Sequence, residues 1–358
     1  MKLLFYINTI SHGGAERVMV NLATDLAERG HDCRLVTSFR TPKFEYAVGE
    51  KVKRVALTER RVGNPLFRNI KYISLLRKEI KQFEPNVVIS FMPQPNFRSL
   101  IATRGLKARN IISVRNDPNR EYRSRLNKIF AKALYKKTDG IVFQTEEARD
   151  WFPEVVRTKG TIIFNQVDER FYNTPLSDEG SDIVAVGKLR PQKDHRMLID
   201  AYADVCGTVE DRLLIYGEGE LRDKLQKQID AYHLADRVKL MGVTTDVPNT
   251  IKTAKVYVLS SDYEGMPNAL MEAMAMGLPC ISTDCPCGGP KTLFGEELKD
   301  YLVPVNDDQT MGRKIKELLE DDEKREKVGR LCMKKAEEFR PHVIIEKWEN
   351  YIKEVATR

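Results

Sequence analysis

The sequence predicts an α/β protein built from two parallel, doubly wound sheets. Short apolar runs alternate with amphipathic helical patterns through both halves of the chain, and a polar segment holding Pro175 and Gly180 separates the halves. The length of 358 residues suits two domains better than one. At 42% hydrophobic and 31% charged, the chain has the apolar mass for two cores.

In the first half, residues 3–7, 34–37, 87–90, 111–114, 141–143 and 162–164 read as buried strands. Between them, 15–29 places Met19, Leu22 and Leu26 on one helical face and stops at Gly30. The pattern over 68–83 places Ile73, Leu76 and Ile80 likewise. In the second half, strands are expected at 183–186, 213–216, 238–241, 256–259, 280–282 and 302–305, with helices such as 221–232 and 308–320 between them. The charged stretch 313–340 keeps helical spacing and reads as a solvated helical surface, and 343–356 is amphipathic. These boundaries give domains of 1–168 and 169–340, followed by a terminal helix over 341–358. Two such sheets face a cleft between their strand ends, where open α/β sheets bind ligands.

Several classes are disfavoured. No run approaches the roughly 18 apolar residues of a membrane span. The opening Lys2–Ile7 stretch is too short for a signal peptide and reads as a first core strand. Six cysteines lack framework spacing, and Cys285-Pro286-Cys287 is no zinc motif, so reduced thiols and no metal are expected. A G-x-G-x-x-G fingerprint is missing, which counts against a dinucleotide oxidoreductase. Charge is uneven. Residues 1–170 hold 32 Lys and Arg against 18 Asp and Glu, and the remainder holds 27 against 34. Within the basic half, Arg120, Arg123, Arg125, Lys128, Lys132, Lys136 and Lys137 fall on one expected helix, with Tyr122, Leu126, Phe130 and Leu134 interleaved. That pattern is either a solvated face over a core stripe or an anionic-membrane contact. No recognition motif accompanies the charge, so nucleic acid is not expected.

Three strand-to-helix junctions carry polar residues suited to a phosphate ligand. Ser260 to Ala275 follows an apolar strand, with Gly265 in a turn, Pro267 at an expected first helical position and a helix over 268–276 stopped by Gly277. The helix start leaves N–H groups free and carries partial positive charge. Glu264 and Glu272 bracket it. Gly187-Lys188-Leu189-Arg190-Pro191-Gln192-Lys193 follows the second half's first strand and offers cations to a diphosphate. Ser11-His12-Gly13-Gly14 opens the first helix, where glycines permit close approach of a ligand. Alone, each pattern is an ordinary turn or a solvated charge cluster more often than a site.

Together, E-G-M-P-N-A-L-M-E-A-M-A, G-K-L-R-P-Q-K and the Gly-Gly loop resemble the retaining glycosyltransferases of family 4, and the likeness runs nearly end to end. The resemblance implies a GT-B fold, a terminal helix that crosses back to the first domain, and a metal-independent transfer without a cofactor. It implies a nucleotide-sugar donor, UDP-linked rather than GDP-linked, and a lipid-linked surface glycan as acceptor at the inner face of a bacterial membrane. By resemblance Glu264 faces the donor sugar, and Glu272 takes the ribose hydroxyls as an acceptor-only group. Gly265, Met266, Pro267, Asn268 and Ala269 then meet sugar hydroxyls or diphosphate. Gly187, Lys188, Arg190 and Lys193 meet the diphosphate, with Gly13 and Gly14 near it. Gly217, Glu218 and Val243 lie near the base, and His12, Arg115 and Asn116 lie on the acceptor side. The expected catalytic set is Glu264, Lys193 and Lys188.

The chain departs from its relatives in places. Lys188 stands where they usually carry Arg, keeping the charge and losing the planar fork. Arg115 or Asn116 stands where they often carry His, and Arg115 either meets an acceptor phosphate or pairs with Asp117. Asn165-Gln166 replaces an Asn-Gly, and Lys291-Thr292 replaces a polar residue and Glu. Rival readings are mannosyl transfer from GDP-mannose, a GT-B epimerase of UDP-sugars, and a two-domain binding protein without chemistry.

Overall fold

A computed structural model describes residues 1–11, 13–41, 44–177 and 180–358, leaving aside the side chains of Pro65 and Leu66. The chain forms two units, Met1–Gln166 with His342–Arg358, and Val167–Pro341.

The first unit carries a seven-stranded parallel sheet: β1 Lys2–Ile7, β2 Asp32–Thr37, β3 Lys53–Ala56, β4 Val87–Phe91, β5 Arg109–Ser113, β6 Gly140–Phe143 and β7 Gly160–Ile162. Their order is β3-β2-β1-β4-β5-β6-β7. The second unit carries β8 Asp182–Val186, β9 Arg212–Tyr216, β10 Val238–Gly242, β11 Ala254–Leu259, β12 Cys280–Thr283 and β13 Leu302–Val303, in the order β10-β9-β8-β11-β12-β13. Each order reverses once, between β1 and β4 and between β8 and β11. These are the crevices where doubly wound sheets take ligands.

Some elements differ from the sequence reading. Strand β3 was not anticipated, because Lys-Arg-Val-Ala has no apolar run and sits half-exposed at the sheet edge. Strand β7 ends at Ile162 and does not reach Phe164. Pro267 is the extended cap of the helix Asn268–Ala275 and not its first residue, and Met276 caps the other end.

The basic segment is not one helix. A short helix Pro118–Glu121 ends at Tyr122, and Ser124 caps a second helix Arg125–Tyr135 through its Oγ, which accepts from Asn127 N. Arg120 and Arg123 therefore lie off the longer helix. The core-stripe reading also fails in part. Ala131 and Tyr135 turn inward and Tyr122 is buried, while Leu126, Ile129 and Phe130 are 78%, 58% and 51% exposed.

The terminal helix Pro341–Thr357 completes the core of the first unit. It buries Ile344, Ile345, Trp348, Tyr351, Ile352 and Val355 among residues of β1, β4 and the helix Gly14–Glu28. Trp348 lies 5.8 Å from the Phe91 ring. Tyr351 Oη accepts from Ile141 N at 2.8 Å and donates to Lys159 O at 2.5 Å. This contact needs a glycine at 140, since a Cβ there would lie 2.8 Å from the Tyr351 hydroxyl. Trp348→Ala should accordingly cost about 3–5 kcal/mol of the first unit's stability, the scale of a large aromatic deleted from a core. Urea unfolding followed by circular dichroism checks this, and a loss below about 1 kcal/mol would detach the helix from that core.

Candidate active site

Strands β8 and β11 are direct neighbours, with Ile183 opposite Val256 and Val184 opposite Tyr257. Their carboxyl ends therefore release two loops side by side. The loop after β11 runs through Ser260 to Pro267. Its turn is held from behind, as Glu264 N donates to Pro286 O at 3.1 Å. The backbone at Gly289 comes so close that a Cβ would lie 1.8 Å from Gly265 O, so only glycine fits there. The helix Asn268–Ala275 follows without a side-chain cap and stops where Gly277 takes φ +80°. Leu270 N and Met271 N both donate to Pro267 O, at 3.1 and 3.2 Å, so the chain turns tightly into the helix.

The loop after β8 runs from Gly187 to Arg190 and closes in a 3₁₀ turn, Pro191–Lys193. Asp194, at φ +36°, caps the helix His195–Val205 by accepting from Met197 N at 3.3 Å. Three bonds tie this loop to the one after β11. Ser260 Oγ donates to Lys193 O at 2.8 Å, Asp262 N to Gln192 O at 2.8 Å, and Gln192 Nε2 to Tyr263 O at 3.0 Å.

Across this junction Lys193 Nζ donates to Glu264 Oε1 at 2.6 Å. Ser261 Oγ donates to the same oxygen at 2.9 Å. Among the described residues no protein group bonds Oε2, so Glu264 keeps one acceptor oxygen for a substrate hydroxyl. Glu264 is 7% exposed and would be costly to hold as an anion without these donors. The sequence suggested Lys193 as a diphosphate ligand, and the structure pairs it with Glu264. Lys188 and Arg190 are exposed and have no ion pair among the described residues, so theirs are the unengaged cations of the loop.

The loops after β9 and β10 stack against the first. Gly217 has φ +149°, and a Cβ there would lie 1.8 Å from Gly187 O. Its N–H donates to Gly242 O at 2.7 Å. Glu218 pairs with Arg222 at 2.7 Å, so its carboxylate serves the start of the next helix. Val243 is exposed beyond β10. Glu272 is buried on the helix after Glu264, as are Gly265, Met266 and Pro267 in the turn, while Asn268 and Ala269 are half-buried at its start. The expected residues of the second unit are thus gathered at the carboxyl ends of β8, β9, β10 and β11.

The first-unit candidates lie at the ends of β1 and β5. Gly13 is the extended cap and Gly14 the first residue of the helix Gly14–Glu28. His12 lies outside the described residues. Asn116 Oδ1 accepts from Asp117 N at 2.9 Å. Asp117 caps Asn119 N at 2.9 Å and makes no ion pair with Arg115, which removes that alternative.

Sequence reasoning passed over Ser261, Gln192, Gly289 and His195. The Ser-Ser before Asp262 and the Gly-Gly after Cys287 were the available signals for the first and third. His195 opens the helix behind Lys193, is 4% exposed, and has no hydrogen bond to either ring nitrogen. Burial, with the Lys193 cation adding to it, pushes its imidazole down to about 4.

Comparison with known proteins gives a consistent answer. The pattern of the family described as Glycosyltransferase Family 4 matches residues 12–171, and that of Glycosyl transferases group 1 matches 167–331. An uncharacterized glycosyltransferase of Methanocaldococcus jannaschii is 30% identical over 275 residues, 69% of this chain and 68% of that protein. The N-acetylgalactosamine-N,N'-diacetylbacillosaminyl-diphospho-undecaprenol 4-alpha-N-acetylgalactosaminyltransferase of Campylobacter jejuni is 27% identical over 355 residues, 94% of this chain and 95% of that one. The crystal structure of Anabaena HepE in complex with UDP superposes with a TM-score of 0.83 at 18% identity, covering 99% of this chain and 100% of that one. The chain belongs to glycosyltransferase family 4, and its fold is GT-B.

The buried imidazole makes stability depend on pH. The folded state holds His195 neutral, and the unfolded state takes up a proton below about pH 6.5. Its contribution is therefore full above pH 6.5 and is lost as pH falls to about 4, a change of about 3 kcal/mol. His195→Phe should flatten the decline in unfolding free energy across that window, and an unaltered slope would show that other groups set it.

Proposed function

We propose that this family 4 glycosyltransferase moves a sugar, with retention, from a UDP-linked donor to a hydroxyl of a lipid-linked glycan. The observation that carries the reading is the Glu264 carboxylate, held on one oxygen by Lys193 and Ser261 at the β8/β11 crevice, beside a helix start without a side-chain cap. Glu264 Oε2 accepts a hydroxyl of the donor sugar. Lys188 and Arg190 offset the diphosphate, whose negative charge grows as the bond to the sugar breaks. Lys193 holds Glu264 in place and adds its own charge. Glu272 accepts from the ribose hydroxyls, and the loops at Gly217, Glu218 and Val243 meet the base. The leaving phosphate oxygen takes the proton of the attacking hydroxyl on the same face. Protein cations supply the charge that a metal ion would otherwise bring, so the reaction is metal-independent. HepE supports UDP by its bound nucleotide, and the Campylobacter relative supports a diphospho-undecaprenol-linked acceptor.

With UDP-sugars and a lipid-linked acceptor, a new glycosidic bond should form and persist in a chelator. Glu264→Gln should remove most of the transfer and leave UDP affinity nearly intact. Glu272→Ala should weaken UDP by about 1–3 kcal/mol, the scale of charged hydrogen bonds. Sugar epimerised without a new bond, or nucleotide bound without turnover, would replace the transferase reading. Activity restored only by Mn²⁺ would overturn the metal-independent one.

The membrane reading rests on the helix Arg125–Tyr135. No described helix is long and apolar enough to cross a bilayer. Here Leu126, Ile129 and Phe130 face outward at i, i+3, i+4 spacing, with Arg125 and Lys128 beside them. Such a face suits the interface of an anionic bilayer, at the inner side of the plasma membrane. The protein should sediment with anionic vesicles at low salt and release at high salt. Leu126→Gln with Ile129→Gln should abolish sedimentation without changing UDP affinity. Binding that ignores vesicle charge, or survives this double substitution, would reject the surface.

A further inference from the structure

The carboxyl edge of the first unit's sheet holds two buried guanidinium groups that have no carboxylate partner among the described residues. Arg98, 3% exposed, lies on the helix Pro93–Ala102. Its Nε and Nη2 donate to Asn69 Oδ1 at 3.0 and 2.8 Å, and Nη2 also reaches Gln94 Oε1 at 3.2 Å. Its Nη1 donates to Asn8 Oδ1 at 2.7 Å and Ser38 Oγ at 3.2 Å. Its donors are spent on neutral oxygens, and it braces the ends of β1 and β2.

Arg115 is different. It is 7% exposed beyond β5, with its guanidinium 4.3 Å from the centre of the Phe91 ring. Nη2 donates to Asn165 Oδ1, an oxygen that also accepts from Gln144 Nε2 at 2.7 Å. Nη1 reaches Ser113 Oγ only at 3.5 Å. No carboxylate meets the fork among the described residues, and both of these partners are neutral oxygens. Burial pushes the group down to about 9, with no nearby carboxylate offsetting the shift, so it stays a cation at neutral pH. Met92, which follows Phe91, holds φ +77°, a backbone state that non-glycine residues avoid.

A buried cation without a counter-ion is strongly unfavourable, and an apolar side chain of similar volume would suit the fold better. The guanidinium fork matches the oxygens of a carboxylate or phosphate two at a time. It stands beside the β1/β4 reversal, where a doubly wound sheet takes its ligand.

We propose that Arg115 binds an oxyanion on the acceptor, either a sugar carboxylate or a phosphate ester. That an acceptor binds here rests on the transferase reading, and that it is anionic rests on the geometry of Arg115. It makes this enzyme selective for anionic acceptors.

The test uses the full chain with UDP saturating, so that the donor site is occupied. Thermal unfolding is followed with glucuronate, inorganic phosphate, pyrophosphate and neutral glucose at matched ionic strength. Glucuronate, or one of the phosphates, should raise Tm, and glucose should not. Arg115→Met should abolish the anion response and, with no anion present, melt no lower than wild type. Arg115→Lys keeps the charge without the fork and should bind the same anion roughly tenfold more weakly, the scale of one lost charged hydrogen bond. A response to glucuronate identifies the carboxylate, and a response to the phosphates alone identifies the ester. No response to any anion in wild type overturns the site, as does an unchanged affinity in Arg115→Lys or an unchanged response in Arg115→Met. A chain that answers to anions yet transfers no sugar would sink the transferase reading and leave the oxyanion site standing.

Discussion

The ion pair of Lys193 with Glu264 is the interaction on which the candidate site depends. It joins the loop after β8 to the loop after β11 through side chains only 17% and 10% exposed. A carboxylate so far from water needs its charge met, and Lys193 with Ser261 meets it on a single oxygen. Thr283 Oγ1 in turn donates to Ser261 O at 2.6 Å, which fixes the serine from β12. The orientation of the other oxygen follows from these bonds.

That arrangement is possible only because backbone approaches backbone around it. Gly217 lies against Gly187, Gly289 against Gly265, and Gly219 against Leu189, each too close for a Cβ. These contacts join the end of β8 to that of β9 and the end of β11 to that of β12, while side chains of Ser260, Gln192 and Lys193 join β8 to β11. The polar groups that remain at the edge are then available for a ligand, or are paired among themselves, as Glu218 is with Arg222.

The first unit repeats the topology with a different electrostatic solution. Its order reverses between β1 and β4, as the second unit's does between β8 and β11. At its strand ends two arginines are buried, and the groups that meet them include amides and hydroxyls: Asn8, Ser38, Asn69 and Asn165. Neutral acceptors hold a guanidinium in place without neutralising it. Below this edge the core is apolar and is closed by Trp348 and its neighbours from the far end of the chain.

Much of this was legible in the sequence. Strand runs, helical spacing and the terminating glycines are local properties, so twelve of the thirteen strands among the described residues showed as apolar runs, with β7 displaced and β13 read too long. The order of the three motifs pointed to the family, since each sits on a strand-to-helix junction that local pattern reveals. Strand β3 escaped because an exposed edge strand needs no apolar run. What tertiary structure alone decided was the choice of partners. Lys193 meets Glu264 across 71 residues of chain, and Arg115 meets Asn165 across 50, while Asp117 beside it turns to cap a helix. The outward face of Arg125–Tyr135 was decided in the same way. Its spacing allowed an apolar stripe on either side, and the packing of Tyr135 against Tyr122 and Phe152 set which side faces water. Periodicity says that a helix has an apolar face, and only long-range contacts say whether that face is covered.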